Sequence, residues 1–235
     1  MIKYSFIIPC FNEEDNIDKL IDNCKNILNN EECELLLVDN GSVDKTSQKI
    51  IENKKKYKDI ICITVKKNKG FGNGVANALP HVRGNIIGYC HADLQTDPND
   101  LLVCLNKIKE YKLQNSNFLI KGNRINRDII DNLFTFFMSI FSTIMFFSYM
   151  SDINSQPNVF NKNLVKKLNF IPDDFNIDLY LYYLAKKNNF LIHKIPVYFP
   201  KRKHGIGTND KVIQKIINAF KTIFRISILR FRTFI

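Results

Sequence analysis

Short apolar runs alternate with amphipathic stretches along the first half of the chain. The runs are too short for helices, and continuous apolar runs of this length are typical of strands buried on both faces of a parallel sheet. Between the first two runs, residues 16–28 place their apolar side chains on one helical stripe. This alternation predicts an α/β fold, with an open and mostly parallel sheet flanked by helices and with ligands at the carboxyl ends of the strands. The predicted strands are residues 5–9, 34–38, 60–65 and 85–90.

Residues 133–150 form an apolar segment that contains no charged residue. As a helix it would reach about 27 Å, slightly less than the hydrocarbon core of a bilayer. The segment therefore fits three structures: a core or interfacial helix, one arm of a helical hairpin, or a transmembrane span. It is flanked by Asp131 and Asp152 rather than by lysines or arginines, which disfavours the spanning structure.

The formal net charge of +11 arises entirely in the last quarter of the chain. Residues 1–178 contain 22 Lys+Arg and 22 Asp+Glu, whereas residues 179–235 contain 12 cations and the single acid Asp210. We expect residues 211–235 to form a basic amphipathic helix on anionic lipid, with a solvated basic tail as the alternative. A nucleic-acid partner is not expected, because the sequence has no helix-turn-helix, zinc or RNA-binding signature.

All six cysteines lie within the first 104 residues, without a C-x-x-C pair or a metal-ligand spacing to a histidine. Such cysteines are typical of reduced, mostly buried thiols in a cytosolic protein. The N-terminal residues lack the apolar region and cleavage site of a signal peptide, so export is not expected. Together with the basic C-terminal helix, these features predict a peripheral or monotopic protein on the cytoplasmic face of a membrane.

A polar segment follows the predicted strand at residues 85–90. It places Asp93 between His91 and Gln95, each two positions away. A carboxylate at the end of a parallel strand, with imidazole or oxygen donors beside it, can hold a divalent cation against a diphosphate. The alternative is a solvated turn in which Asp97 caps the following helix.

Two other loops also follow predicted strands. Asp39 ends the second strand, so its carboxylate would face the same crevice and accept hydrogen bonds from a ribose or a base. The loop at residues 69–74 is rich in glycine and can bring backbone N–H groups to an anion, although a plain turn fits the same residues. Asp44 and Thr46 are candidate caps of the next helix.

Arg124 and Arg202 follow the predicted strands at residues 118–121 and 192–199, respectively. Two arginines at strand ends can clamp phosphate groups through their planar donor forks, whereas isolated surface arginines are usually solvated. His204, in the basic loop beside Arg202, is a candidate neighbour of a phosphate.

Four segments, in this order, resemble the family 2 glycosyltransferases. Within that family, four further runs are most similar to the polyprenyl-phosphate glycosyltransferases, the group that includes dolichyl-phosphate mannose synthase. The resemblance covers residues 4–210. The first four segments are residues 7–14, 36–46, 68–72 and 91–95, and the further runs are residues 92–95, 122–124, 151–155 and 202–205.

This resemblance implies a GT-A fold, a GDP- or UDP-hexose donor, a divalent metal (Mn²⁺ or Mg²⁺) and inversion at the anomeric carbon. Arg202 would bind the diphosphate or the acceptor phosphate, and Asp178 would be the general base if the acceptor were a sugar hydroxyl. The implied nucleotide-sugar contacts are Pro9, Asn12, Glu13, Asp39, Lys69, Gly70, His91, Ala92 and Asp93. The implied metal ligands are His91, Asp93 and Gln95. The implied acceptor contacts are Arg124, Asp152, Asn154 and His204.

The sequence departs from the family pattern at three places. His91 replaces the first aspartate of the usual Asp-Ala-Asp, and an imidazole suits Mn²⁺ better than Mg²⁺. Asn40 stands where a second aspartate is frequent. Residues 156–158 replace the Gly-Phe-Arg-like run that is common in the lipid-phosphate group.

The resemblance and the charge pattern lead to one functional expectation with two alternatives. We expect a glycosyltransferase that moves a hexose to a polyprenyl or dolichyl phosphate. The alternatives are transfer to a saccharide hydroxyl of a cell-envelope lipopolysaccharide or capsule precursor, and an inactive scaffold. Three parts are expected: a nucleotide-sugar half (residues 1–125), an acceptor half that includes the apolar segment (126–210), and the basic helix (211–235).

Overall fold

The computed structural model describes residues 1–199 and 212–233, with side chains from residue 217 in the second range. Its strands form one sheet in the order β3-β2-β1-β4-β6-β5-β7. Strands β1 to β4 are parallel, β6 is antiparallel to β4 and β5, and β7 is parallel to β5. The strands are β1 (Tyr4–Cys10), β2 (Cys33–Asp39), β3 (Ile60–Thr64), β4 (Ile86–Tyr89), β5 (Phe118–Ile125), β6 (Asn158–Asn161) and β7 (Leu191–Tyr198).

Helices connect the strands and cover both faces of the sheet. This arrangement confirms the predicted mixed α/β fold with a mostly parallel sheet. Two short 3-10 turns, Leu79–His81 and Lys162–Lys167, complete the described elements. The helices are α1 (Ile17–Asn23), α2 (Lys25–Leu28), α3 (Thr46–Lys56), α4 (Phe71–Ala78), α5 (Asp100–Glu110), α6 (Ile129–Phe146), α7 (Asn176–Lys187) and α8 (Val212–Arg232).

Alternate residues of the central strands enter two hydrophobic cores on opposite faces of the sheet. In β1, Phe6 and Ile8 point into the core covered by α1, α2, α3 and α5, whereas Ile7 points into the core covered by α4 and α7. This two-residue period explains why the strands read as continuous apolar runs in the sequence. The same burial encloses five of the six free cysteines, and Cys62 is half-buried.

Three expectations about the elements need correction. The helix predicted at residues 16–28 is two helices, because the chain leaves the helical path at Cys24. Strand β5 extends to Ile125, so Arg124 lies within the strand rather than after it. Strand β6 was not predicted, because its four residues include two asparagines and give no apolar run.

The apolar segment forms α6, which begins earlier than predicted and ends at Phe147 in the left-handed region (φ 49°). Its length and composition suit a membrane span. The helix is not a core helix, since only Ser142 and Phe146 along it are buried. It packs against α8, and both helices keep exposed apolar side chains.

Candidate active site

The loops that follow β1 and β2 are held together by hydrogen bonds. The Asn12 backbone N–H donates to Ser42 Oγ (3.1 Å), and Asn12 Oδ1 accepts from the Val43 N–H (3.0 Å). The Glu13 N–H donates to Thr46 Oγ1 (2.8 Å). Asn12 has a φ of 53°, a conformation that asparagine tolerates better than most residues. Asn12 and Glu13 thus fix the rim of the crevice at the carboxyl end of the sheet.

Asp39, the last residue of β2, lies below the rim that Asn12 and Glu13 form. It is 5% exposed, and its Oδ1 accepts from the Ser42 N–H (2.9 Å). Pro9, in the neighbouring strand β1, is buried against α4, since a Cβ on Gly74 would lie 2.8 Å from the Pro9 Cβ. The structure therefore brings the predicted nucleoside residues Pro9 and Asp39 together on neighbouring strands, with both side chains buried.

The glycine-rich loop is organised by side-chain amides. The Gly70 N–H donates to Asn68 Oδ1 (2.7 Å), and the Gly70 carbonyl accepts from Asn40 Nδ2 (2.9 Å). The Gly70 amide is therefore already bonded within the loop, as in the plain-turn alternative. Lys69 is exposed beside it and brings the positive charge of this loop to the surface.

The segment at residues 172–174 covers the glycine-rich loop. A Cβ on Gly72 would lie 2.0 Å from the Pro172 carbonyl oxygen, so a side chain at Gly72 would separate the two loops. The Asn73 N–H donates to the Asp173 carbonyl (2.9 Å), and Asp174 pairs with Arg225 of α8 at 3.3 Å. The covering segment thus connects the glycine-rich loop to the C-terminal helix.

The predicted metal-binding loop follows β4 directly. The His91 ring lies 4.8 Å from the Phe71 ring and 5.5 Å from the Phe175 ring. The carboxylate of Asp93, a half-buried residue, accepts from the Gln95 N–H (3.1 Å). Ala92, between them, is buried. The loop therefore has a fixed shape that presents one carboxylate at the end of the strand.

Within residues 1–199 and 212–233, no three His, Cys, Asp or Glu side chains converge into a metal-binding group. The oxygen ligands of this loop nevertheless fit a site in which the phosphates of the substrate complete the coordination of the metal. Mg²⁺, a hard cation, is usually held by one or two carboxylates together with substrate phosphates, and Mn²⁺ accepts the same oxygen ligands. Asp93 and the Gln95 side chain would supply such ligands, with His91 beside them.

Beneath this loop lies a buried group of polar side chains. Asp178 is completely buried and accepts from Tyr89 Oη (2.6 Å), Asn158 Nδ2 (3.2 Å) and Gln156 Nε2 (3.2 Å). Burial raises the pKa of the Asp178 carboxyl. A general base must reach the proton it abstracts, and this carboxylate is enclosed. Its expected role as a base is therefore corrected to positioning, because it anchors Tyr89, the last residue of β4.

Lys121 is also completely buried, although it is a charged residue in a strand. Its Nζ donates to the carbonyls of Asp152 (2.8 Å) and Ser155 (3.3 Å) and lies 5.3 Å from the centre of the Tyr182 ring. Burial lowers the pKa of the Lys121 ammonium. The buried ammonium thus holds the turn at residues 152–155, which contains two predicted acceptor contacts.

Arg124 and Asp152, both predicted to contact the acceptor, bind each other. The Arg124 backbone N–H donates to Asp152 Oδ2 (2.8 Å), Nε donates to Oδ1 (2.8 Å), and Nη2 also contacts Oδ1. Burial alone would raise the pKa of the Asp152 carboxyl, but the Arg124 guanidinium lowers it to about 2. The pair is an internal clamp at the end of β5.

We expect this clamp to make stability depend on acid pH. The pKa of Asp152 is lower in the folded chain than in an unfolded one, so the stabilisation is complete above about pH 5 and is lost as the pH falls toward 2. Asp152→Asn should remove about 2.5 kcal/mol of this acid-dependent stability. Urea unfolding of both proteins between pH 5 and 2 measures the difference. Parallel curves for wild type and variant would contradict it.

A cleft of about 160 Å³ lies beside the clamp, between α6, α8 and the turn at residues 152–155. Arg127, which belongs to none of the sequence motifs, lines this cleft together with Arg124 and Asn154. Its position three residues after Arg124 is the only signal that the sequence gives. Arg202 and His204, also predicted to bind phosphate, lie outside the described residues.

Residues 5–149 match the model of a protein family described as glycosyl transferase family 2. Among curated proteins, a dolichyl-phosphate beta-glucosyltransferase of Trichomonas vaginalis is 29% identical over 132 residues, which are 53% of this chain and 40% of that protein. The dolichol-phosphate mannosyltransferase of Pyrococcus furiosus is 32% identical over 108 residues, covering 46% and 30%. This chain thus spans less than half the length of these relatives.

Solved structures support the fold along nearly the whole chain. The glucosyl-3-phosphoglycerate synthase of Mycobacterium tuberculosis, in complex with Mn²⁺, UDP and glucosyl-3-phosphoglycerate, superposes with a TM-score of 0.71. The match covers 97% of this chain and 80% of that one at 16% identity. At this identity the similarity establishes the fold, and the ligands belong to the mycobacterial enzyme.

Proposed function

Because the chain belongs to glycosyl transferase family 2, we propose that it transfers a hexose from UDP or GDP to a polyprenyl or dolichyl phosphate at a membrane surface. The observation that carries the proposal is the apolar face of α6 and α8, which stands beside the arginine-lined cleft. We define the apolar face as the exposed residues Leu133, Phe136, Phe137, Ile140 and Ile144 of α6 with Phe220, Phe224, Ile228 and Phe231 of α8.

The nine exposed side chains of this face include five phenylalanines, and contiguous exposed apolar patches mark interaction sites. Its charges favour a lipid partner. The α8 sequence contains no acid, and Arg230 lies 5.8 Å from the centre of each ring of Phe146 and Phe147. Aromatic side chains that enter the lipid, with cations at the headgroup level, suit an anionic membrane surface. This supports peripheral or monotopic attachment through α6 and α8.

The site supports the reaction in two ways. Asp93 and Gln95 would hold the divalent metal, which when bound offsets the charge that develops on the nucleoside diphosphate leaving group. A phosphate acceptor is already an anion at neutral pH, so the reaction needs no strong base. The enclosed carboxylate of Asp178 agrees with such an acceptor better than with a sugar hydroxyl.

The relatives support the acceptor and the donor. The proteins from Trichomonas vaginalis and Pyrococcus furiosus are named for transfer to dolichyl and dolichol phosphate. The mycobacterial structure holds Mn²⁺ and UDP, which supports a metal-dependent UDP-sugar site in the same fold. Among the residues proposed for this site, His91 favours Mn²⁺ over Mg²⁺.

The proposal is tested by a transfer assay on vesicles. The full chain is incubated with Mn²⁺, labelled UDP-glucose or GDP-mannose, and polyprenyl phosphate in phosphatidylglycerol vesicles. We expect label in the lipid phase. Label that appears only in an added saccharide acceptor would favour the alternative function, and no product with any acceptor would favour an inactive scaffold.

The apolar face predicts how one double variant binds to vesicles. Phe220→Ser with Phe224→Ser should weaken vesicle binding about 100-fold, because each buried phenyl group contributes roughly 1.5 kcal/mol. Vesicle flotation measures the binding. The control is Val43→Ser with Ile51→Ser, which removes two exposed apolar side chains far along the chain from α6 and α8. Equal flotation of the two double variants would disprove attachment through α8.

A further inference from the structure

A second cavity lies along the C-terminal half of α8, where this helix meets the glycine-rich loop and the covering segment. Its volume is about 280 Å³. It is lined by Lys69 of the glycine-rich loop, Asp174 of the covering segment, and Arg225 and Arg232 of α8. Among the residues that the structure describes, it shares none with the cleft beside the clamp, and Lys69 is the only predicted nucleotide-sugar contact that lines it. The cavity therefore meets the candidate active site only at Lys69.

Arg232 is held at this cavity by a stack of aromatic rings. Its guanidinium carbon lies 4.0 Å from the centre of the Phe170 ring, and the Phe170 ring stacks on the ring of the buried Tyr180 at 4.6 Å. A guanidinium over an aromatic face is attracted by the ring, while its N–H donors remain at its edge. Within residues 1–199 and 212–233, no carboxylate forms an ion pair with Arg232. The stack thus presents a fixed guanidinium whose charge no described acid neutralises.

The charges of the lining leave one cation uncompensated. Arg225 pairs with Asp174 at 3.3 Å, and Asp173 is the other acid among the described lining residues. Against these two carboxylates stand three described cations, Lys69, Arg225 and Arg232. A phosphodiester carries a single negative charge and accepts hydrogen bonds from a planar donor fork, so it matches both the charge of the lining and Arg232. A phosphate monoester would bring a second negative charge that the lining does not compensate.

The cavity is continuous with the apolar face of α6 and α8. Ile228 lines the cavity and is also part of the apolar face, with 44% of its surface exposed. Phe231, another exposed residue of the apolar face, is adjacent in sequence to Arg232. A molecule whose anionic group lies in the cavity can therefore place attached apolar chains along the apolar face.

We propose that this cavity binds the phosphodiester headgroup of an anionic phospholipid, at a site separate from that of the acceptor. The inference goes beyond the proposed function and takes from it only the attachment through α8. Arg232 and Lys69 bind the phosphodiester, and Ile228 contacts the first carbon atoms of the acyl chains. Such a site makes attachment depend on the headgroup, whereas an apolar face alone binds anionic and zwitterionic bilayers alike.

Direct binding of a soluble phospholipid tests the site without vesicles or sugar transfer. Isothermal titration of the full chain with dihexanoyl phosphatidylglycerol, used below its micelle concentration, gives the affinity. Arg232→Met should weaken binding about 10-fold, because it removes a charged hydrogen-bond donor. The matched control is Lys221→Met, which removes an exposed cation of the same helix away from the cavity and should bind like wild type. Equal losses in the two variants would overturn the site in favour of diffuse attraction to the basic helix.

Asp174→Asn should change the affinity in the opposite direction. The Asn176 N–H donates to Asp174 Oδ1 (2.9 Å), and asparagine keeps an oxygen for this hydrogen bond. The substitution removes the charge that pairs with Arg225, so a second uncompensated cation becomes available and binding should strengthen about 5-fold. Misfolding does not produce a gain in affinity, so this variant keeps the test valid if Arg232→Met does not fold. Unchanged or weaker binding by folded Asp174→Asn would contradict the site.

Two other ligands identify what the cavity recognises. Dihexanoyl phosphatidylcholine should bind about 10-fold more weakly than the phosphatidylglycerol, because its choline cation cancels the charge of the phosphodiester. Equal affinity for the two phospholipids would overturn selection by charge. Glycerol 3-phosphate that binds as tightly as the phosphatidylglycerol, with the same dependence on Arg232, would overturn a lipid occupant in favour of a soluble phosphate ester. A wild-type protein that does not bind the phosphatidylglycerol would overturn the whole proposal.

The transfer assay on vesicles separates this inference from the proposed function. If the phosphatidylglycerol binds in an Arg232-dependent manner and no sugar is transferred to any acceptor, the function fails and the site stands. If sugar is transferred to polyprenyl phosphate while folded Arg232→Met binds the phosphatidylglycerol like wild type, the site fails and the function stands. Thermal unfolding of each variant verifies the fold.

Discussion

Replacing Asp93 by asparagine is expected to lower sugar transfer about 1,000-fold, while the fold stays intact. Asp93 presents the carboxylate of the loop after β4, and its oxygen accepts the Gln95 N–H at 3.1 Å. Asparagine keeps an oxygen for this hydrogen bond, so the loop retains its shape. The substitution removes the negative charge that would hold the metal against the diphosphate, so the loss falls on the transition state.

The Asp93→Asn experiment has two readouts. The transfer rate is measured at saturating Mn²⁺, and the fraction of bound Mn²⁺ is measured by electron paramagnetic resonance with UDP present. Asp59→Asn, an identical change at an exposed turn before β3, is the control and should match wild type in both. A variant of Asp93 that keeps a tenth of the transfer rate would show that the metal is held elsewhere or is not used.

Replacing Lys121 by methionine is expected to lower the free energy of unfolding by about 3–5 kcal/mol, the usual effect of breaking a buried charge group. The change leaves the carbonyls of Asp152 and Ser155 without their donor. It also removes the positive charge that compensates Asp178. The turn at residues 152–155 and the end of β4 at Tyr89 should loosen together.

Urea unfolding at pH 7 measures this loss, with Lys109→Met on the exposed side of α5 as the matched control. The double variant Lys121→Met with Asp178→Asn separates the two contributions. We expect it to be more stable than the sum of the single changes predicts, because it leaves no uncompensated buried carboxylate. An unfolding midpoint of Lys121→Met equal to that of wild type would contradict the role assigned to the ammonium.

The first half of the fold was largely predictable from the sequence, because strands buried on both faces of a parallel sheet appear as continuous apolar runs. The runs located β1 to β4, and the polar residues after them located Asp39 and Asp93. The second half was harder. Strand β6 is short and polar, and it joins the sheet through antiparallel partners that lie far away in the sequence.

The burial of the charged residues in the second half could not be predicted from the sequence. Asp178 was expected as a base and Lys121 was given no role, since charged side chains are rarely buried without partners. Their partners come from three separate elements, and a linear pattern does not reveal them. The clamp of Arg124 likewise depends on Asp152, 28 residues further along the chain.

The placement of the thiols provides a way to observe opening of one half of the molecule. Cys10, Cys24, Cys33, Cys90 and Cys104 are buried, and none of the six cysteines lies beyond residue 104. Alkylation requires the thiolate and access to it, so these five residues react only when this part of the fold opens locally. Mass spectrometry of alkylated peptides would therefore measure the rate of local opening in residues 1–104, independently of any activity assay.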